Sequence, residues 1–236
     1  MKIIKNPSPN FENRPPNVSV NLLLFHYTGM KSASEAIARL CNPNSKVSAH
    51  YLIDEVGNIF SLVDENKRAW HAGVASWNDD VDINNISVGV EIANPGHEFG
   101  YSRYTEQQMV AVETLSIDII KRHSIGAARV LAHSDVSPSR KCDPGELFDW
   151  ERLAAAGIGI WPKMLPVSVD FEIGSIRQCQ KQLKMIGYGL KITGVLDELT
   201  RDTILAFQRH WLPNRLTGKF DVETVWRMES VLRASE

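Results

Sequence analysis

Ser19-Val-Asn-Leu-Leu-Leu-Phe-His-Tyr-Thr28 is a short, nearly unbroken apolar run that turns polar at its end. A strand buried on both faces reads this way, because neither of its sides meets water. Such a strand delivers side chains at its C-terminal end, and His26 stands there. Moving outward, Ser32 and Glu35 have the spacing of a capping box and open a predicted helix to about Leu40, which Asn42-Pro43 stops. His50 to Asp54 and Asn58 to Leu62 flank Glu55-Val56-Gly57 as a predicted hairpin. Ile86-Ser-Val-Gly-Val-Glu-Ile-Ala93 is β-branched and bounded by loops, a predicted central strand that carries Glu91. Thr105 with Gln108 opens a helix to about His123, with Met109, Val112, Leu115 or Ser116, and Ile119 along the stripe that faces the sheet. Ala128-Arg-Val-Leu-Ala-His133 is a further strand ending on a second histidine. The order β-α-β-β-β-α-β predicts an α/β fold with a mixed central β-sheet flanked by helices, a class in which ligands bind at strand C-terminal ends.

Either side of that block the character of the chain changes. Residues 1–18, rich in proline and asparagine between positions 6 and 17, read as an N-terminal extended arm. The Gly/Pro-punctuated stretch from Gly157 through Pro166 marks a boundary, with a catalytic domain over 19–161, a linker over 162–170 and a small three-helix domain over 171–236. Within the last of these, Thr193-Gly194-Val-Leu-Asp197 recurs as Thr217-Gly218-Lys-Phe-Asp221, each copy leading into a helical pattern. Asp197 and Asp221 are natural N-caps, since a carboxylate oxygen accepts the orphan N–H groups of a first helical turn. A unit this small has few residues to spare for chemistry and reads as a binding module. Its removal is expected to leave cleavage of soluble fragments intact.

Composition narrows the function. With 43% hydrophobic and 23% charged residues, the 236-residue chain is neither disordered nor collagen-like, and it is long enough for two packed units. Lys and Arg number 26 against 28 Asp and Glu, so a net charge of -2 supplies no field to draw the chain onto nucleic acid or an anionic membrane. Three cysteines, Cys41, Cys142 and Cys179, provide neither a disulfide framework nor a CxxC pair. The residues opening at Met1 lack the apolar core of a secretory leader, and no segment is long enough to span a bilayer. The chain as it stands is expected neither to cross a membrane nor to direct its own export, although a removed leader would leave the same appearance.

His26, His133 and Asp143 are candidate metal ligands: two strand-end imidazoles and a carboxylate in the loop Ser137-Pro-Ser-Arg-Lys-Cys-Asp-Pro-Gly145. Zinc takes such donors, and with three protein ligands keeps a position for water, whose pKa falls to about 7. The chemistry implied is hydrolysis. Glu91, among apolar neighbours, would serve as the general base that later protonates a leaving amine, and Lys141 would stabilise the oxyanion. Singly, each has a plainer reading: a strand-end histidine is commonly a structural hydrogen-bonding residue, a lone strand glutamate commonly faces solvent, and Asp-Pro-Gly is commonly a turn. Cys142 is a rival third ligand, but adjacent residues on an extended chain point to opposite sides, so Asp143 and Cys142 cannot both face the site.

Six ordered segments carry a resemblance: Phe25-His-Tyr-Thr28, Ser48-Ala-His-Tyr-Leu52, Trp70-His-Ala-Gly73, Val88-Gly-Val-Glu-Ile-Ala-Asn94, Ala132-His-Ser-Asp135 and Arg140-Lys-Cys-Asp-Pro-Gly145. Together they resemble the zinc-dependent N-acetylmuramoyl-L-alanine amidases of type 2, which include AmpD, the T7-type lysozymes and the peptidoglycan recognition proteins. Residues 171–232 resemble the three-helix peptidoglycan-binding module, and the pair resembles the AmiD subgroup. The resemblance implies one zinc ion on His26, His133 and Asp143, Glu91 as acid/base and Lys141 as the transition-state lysine. It further implies a substrate of peptidoglycan or muropeptide, cut between N-acetylmuramic acid and L-alanine. Trp70 and His71 either line the substrate groove or pack beneath it; Asn94 is expected at the substrate, and His50, Asn94 and Asp135 are candidates for orienting ligands by hydrogen bonding. Tyr188, Phe207 and Trp211 are either core or groove. Two rival readings are a recycling enzyme of the cytoplasm restricted to 1,6-anhydro-muropeptides and a wall-recognition protein without catalysis. The added module favours polymeric peptidoglycan in the cell envelope, periplasmic or secreted, over the cytoplasmic alternative.

Overall fold

A computed structural model of the protein describes residues 2–163 and 171–235. Of the linker, residues 164–170 lie outside the described residues. In chain order the elements are β1 (Ile3–Lys5), β2 (Phe11–Asn13), β3 (Leu22–Tyr27), α1 (Ala33–Leu40), β4 (Tyr51–Ile53), β5 (Ile59–Ser61), β6 (Lys67–Ala69), α2 (Ile83–Ile86) and β7 (Ser87–Ile92). There follow α3 (Gly96–Phe99), α4 (Glu106–His123), β8 (Val130–Ala132), α5 (His133–Val136), α6 (Trp150–Ala155), α7 (Ile176–Ile186), α8 (Glu198–Trp211) and α9 (Val222–Ala234).

Six strands form one mixed sheet in the order β1-β5-β4-β7-β3-β8. β3, β7 and β8 run parallel, as do β4 with β7 and β1 with β5, while β4 and β5 are the antiparallel hairpin. The three parallel strands therefore end at one edge, which is where His26, Glu91 and His133 are needed. Register then sorts their side chains. Leu22 pairs with Ser87, Leu24 with Gly89 and His26 with Glu91, and directly opposed residues on neighbouring strands share a face. Leu23, Phe25, Val88, Val90 and Ile92 take the other face, where the α4 stripe of Met109, Val112, Leu115 and Ile119 covers them together with Phe148 and Trp150. Thr105 caps α4 through a complete capping box with Gln108, as the spacing predicts.

The N-terminal stretch joins this sheet and a separate two-stranded one. β1 extends the sheet alongside β5, β2 pairs with β6, and the Arg14 guanidinium donates to the carbonyls of Glu65, Asn84, Asn85 and Ser87.

Helices α7, α8 and α9 form the expected C-terminal trio, and Asp197 and Asp221 cap α8 and α9 by accepting from the N–H groups of Thr200 and Thr224. Tyr188, Phe207 and Trp211 are all buried core. That core is not the trio's alone. One continuous apolar cluster joins Leu22, Leu24 and Leu131 of the sheet and Trp77 of a loop to Leu183, Ile186, Phe207, Trp211 and Met228. Gly187 shows how close the approach is: its φ of +136° suits a residue without Cβ, and a Cβ there would lie 2.3 Å from the Trp77 indole. Leu183→Ala, which removes three carbons from the shared core, should cost about 2–5 kcal/mol. We expect calorimetry to show one unfolding transition for the whole chain, displaced downward in the variant; two transitions, with only one displaced, would mean the trio folds as its own unit.

Candidate active site

His26, His133 and Asp143 come together from three places: the end of β3, the first residue after β8, and the loop beyond α5. His26 Nδ1 lies 2.9 Å from His133 Nδ1, and both nitrogens lie 3.0 Å from Asp143 Oδ2. Exposures of 1%, 3% and 6% leave water little part in satisfying them. Cys142 Sγ lies 3.0 Å from the Tyr27 hydroxyl, and Cys142 is not among the clustered donors.

Hydrogen-bond partners decide what the two imidazoles present to the cluster. His133 Nε2 lies 3.0 Å from the carbonyl of Ala72, which only accepts, so Nε2 carries a proton and, in the neutral ring, Nδ1 keeps the lone pair. A longer relay gives His26 the same polarity. Ser87 donates its hydroxyl proton to the Ile83 carbonyl at 2.6 Å, so its oxygen accepts from His71 Nε2 at 3.2 Å. His71 Nδ1 is then an acceptor and takes the proton of His26 Nε2 at 3.0 Å. His26 Nδ1 is left as a second lone pair. Burial, followed by the neighbouring His133, lowers the His26 pKa to about 4, and burial, followed by His26, puts His71 well below its usual value, so both rings are neutral. With both rings neutral, two lone pairs and a carboxylate face one another in a buried space, an arrangement that a cation among the three would relieve. The donor set fits a metal ion.

Glu91 shares the face of His26, and its Oε2 is buried without a hydrogen-bond partner. Burial and the nearby Asp143 raise its pKa well above normal, against the opposing charge of Lys141. His26, Glu91, His133, Asp143, Lys141, His71 and Trp70 all line one cleft of about 620 Å³. Trp70 donates from Nε1 to Glu12 at 3.3 Å. His71 thus both lines the cleft and supports His26, and the strand beneath it carries Gly89 because a Cβ there would meet the imidazole at 2.5 Å. Asn94, expected at the substrate, sits outside this lining. Its amide is taken up by the Ser102 carbonyl and the Gly96 N–H, so it shapes the loop after β7. His50 accepts the Gly89 N–H on Nδ1 and faces the Lys67 carbonyl with Nε2, tying β4 to β7. A second cleft of about 700 Å³ lies between Trp150, Trp161, Trp211 and Arg227, away from the three donors. Ser87, an ordinary strand serine in the sequence, emerges as the origin of the relay; only its distance from His71 in space reveals it.

Comparison with known proteins agrees with this geometry. The profile of the N-acetylmuramoyl-L-alanine amidase family matches residues 15–146. The N-acetylmuramoyl-L-alanine amidase AmiD of Escherichia coli (strain K12) is 32% identical over 90% of this chain and 82% of its own length. The 1,6-anhydro-N-acetylmuramyl-L-alanine amidase AmpD of Haemophilus influenzae is 31% identical over 61% of this chain and 86% of its own. Among solved structures, AmiD from E. coli in complex with the substrate anhydro-N-acetylmuramic acid-L-Ala-D-gamma-Glu-L-Lys superposes with a TM-score of 0.83 at 30% identity, covering 95% of this chain and 94% of that one. On sequence, on fold and on the residues gathered at the strand ends, the chain belongs to the type 2 N-acetylmuramoyl-L-alanine amidases.

Proposed function

We propose that the protein is a zinc amidase that hydrolyses the amide between the lactyl carbonyl of N-acetylmuramic acid and L-alanine, in polymeric peptidoglycan and in soluble muropeptides. The observation that carries this reading is the convergence of two imidazole lone pairs and a carboxylate beside an unpartnered glutamate in one cleft. The relatives' names and the muropeptide held by the AmiD complex support the choice of substrate.

His26, His133 and Asp143 would hold the ion. Bound there, zinc supplies Lewis acidity, acidifying water to a pKa of about 7 and polarising a carbonyl. The remaining work belongs to side chains. Glu91, with no partner on Oε2 and a raised proton affinity, accepts a proton from the attacking water and returns it to the alanine nitrogen as the C–N bond breaks. Lys141 faces the same cleft and sets positive charge against the oxygen that becomes anionic. His71 and Ser87 keep His26 in the tautomer that leaves Nδ1 free, and the Trp70 indole offers a face to the sugar or lactyl group.

Among the described residues no helix is long and apolar enough to cross a membrane. We place the activity in the cell envelope, where polymeric wall is found, with the helical trio as the peptidoglycan-binding part; since Tyr188, Phe207 and Trp211 are buried, wall contact would use other residues.

Mass spectrometry of products from intact sacculi and from a soluble anhydro-muropeptide should find free stem peptide in both, and in neither once a chelator has stripped the metal. Release from the soluble fragment alone would point to a recycling enzyme, and release from neither to a recognition protein. A second prediction concerns Glu91. A carboxyl whose pKa is raised on folding holds its proton more tightly in the native state, so its contribution is most favourable below the ordinary value of 4.5 and declines as pH rises towards the folded value. Glu91→Gln should therefore lower turnover by at least about 10²-fold, retain zinc, and raise the Tm of the metal-free protein at pH 8 by about 2–4 °C for each kcal/mol of relief. That gain should vanish near pH 4. Unchanged turnover would remove Glu91 from the mechanism, and an unchanged Tm would mean its burial carries no cost.

A further inference from the structure

The C-terminal helices reach the candidate metal site through one buried carboxylate. Asp135, with 0% exposure, lies two residues beyond His133 on the single turn α5. Its Oδ2 accepts the backbone N–H of Ala132 at 2.8 Å and the Nδ1–H of His210 at 2.7 Å, while Oδ1 accepts the Tyr188 hydroxyl at 2.7 Å. Both side-chain donors belong to the C-terminal trio. Each is itself fixed. The His210 imidazole is clamped between the Trp150 and Trp211 indoles with ring centroids 3.7 Å away on either side, and Tyr188 packs edge-on against Trp77 at 5.0 Å. The Asn78 N–H donates to the Gly187 carbonyl at 2.7 Å, holding the Tyr188 backbone in place.

Adhesion alone would not call for this arrangement, since the apolar core between the trio and the sheet already supplies it. Burying a carboxylate is costly unless hydrogen bonds replace its water, and each bond that does so also fixes a direction. The direction matters because of what α5 carries. Asp135 holds the N–H of the residue just before His133, and the next residue, Ser134, donates its backbone N–H to the Asp143 carbonyl at 3.0 Å. One turn of chain is thus common to two of the three metal donors, and the trio grips that turn.

We propose that Tyr188 and His210 are positioning residues for the metal site: acting through Asp135, they hold His133 and Asp143 at the spacing that binds the ion. This rests on the metal-site reading above. It makes the trio part of the machinery for soluble fragments as well as for wall polymer, in place of the expectation that its removal leaves soluble cleavage intact.

Tyr188→Phe removes only the hydroxyl donor, and His210→Phe keeps an aromatic ring while removing the imidazole donor together with the second ring nitrogen. Competition against a chromogenic chelator should show zinc bound about tenfold more weakly in each, the lower end of what outer hydrogen-bond partners of metal ligands contribute. The visible spectrum of the cobalt(II)-loaded protein should shift, and kcat on a soluble anhydro-muropeptide should fall with KM unchanged. Gln180→Leu is the control. Gln180 binds Thr193, Gly194, Val195 and Thr200 inside the trio and does not touch Asp135, so the variant should lower the Tm and leave zinc affinity and the cobalt spectrum as in the parent. Parent-like zinc affinity and cobalt spectra in both phenylalanine variants would overturn the proposal. So would an equal loss in Gln180→Leu, which would assign the effect to general stability. A parent protein that binds neither zinc nor cobalt would overturn the metal-site reading itself, and the positioning role with it.

Discussion

The pairing of β3 with β7 is the constraint on which the rest depends. Because side chains alternate with a period of two, a slip of one residue would carry His26 to one face of the sheet and leave Glu91 on the other. The native register puts them opposite one another and places Leu22 and Leu24 on the same face. That face changes along its length from apolar to functional: leucines against the C-terminal trio, then Gly89 under the His71 ring, then His26 and Glu91 at the strand ends. Fixing the register for packing also fixes it for chemistry, since the leucines cannot be buried correctly with the histidine misplaced.

A second constraint is directional. A neutral imidazole has one donor and one acceptor, and whichever nitrogen finds a carbonyl determines what the other can do. The Ala72 and Ile83 carbonyls, neither chemically unusual, force both Nδ1 atoms to be acceptors, the first directly and the second through Ser87 and His71. The protein has thus built an electrostatic demand for a cation from backbone oxygens lying outside the cluster.

Much of this is legible in the sequence wherever local physics governs. The Thr105 cap and the α4 stripe follow from spacing, and the buried strands follow from apolar runs ending in polar residues. His26, His133 and Asp143 are weak candidates singly and stand out only in conjunction with the six ordered segments of the family pattern; the fold brings the three together. What is not legible depends on partners distant in the chain. β1 and β2 are three-residue strands with exposed side chains and no alternation to betray them; only their pairing with β5 and β6 makes them strands. Asn94 reads as a substrate contact but spends its amide on Ser102 and Gly96, because a loop's internal hydrogen bonds leave no periodic trace. His71 reads equally as groove or packing because it is both. Ser87 gives no sign at all, being one serine among many until the fold sets it beside His71.

Tyr188 is the most instructive of these residues. In the sequence it reads equally as core or as groove; in the fold it is buried and bonded to Asp135. The family profile matches residues 15–146, which hold the three donors, and the trio lies beyond them. A unit that only tethered the enzyme to wall would need no more than a linker and a modest interface. Here it takes over the covering of Leu22, Leu24 and Trp77 and supplies two of the three hydrogen bonds to a carboxylate beside a metal donor. Once a sheet face has become apolar enough to need that cover, the cover can no longer be lost without exposing the face, and whatever hydrogen bonds it makes to the active-site turn are kept with it. On the proposal made above, the candidate metal site depends on the trio through this packing, with no contact needed between the trio and the substrate.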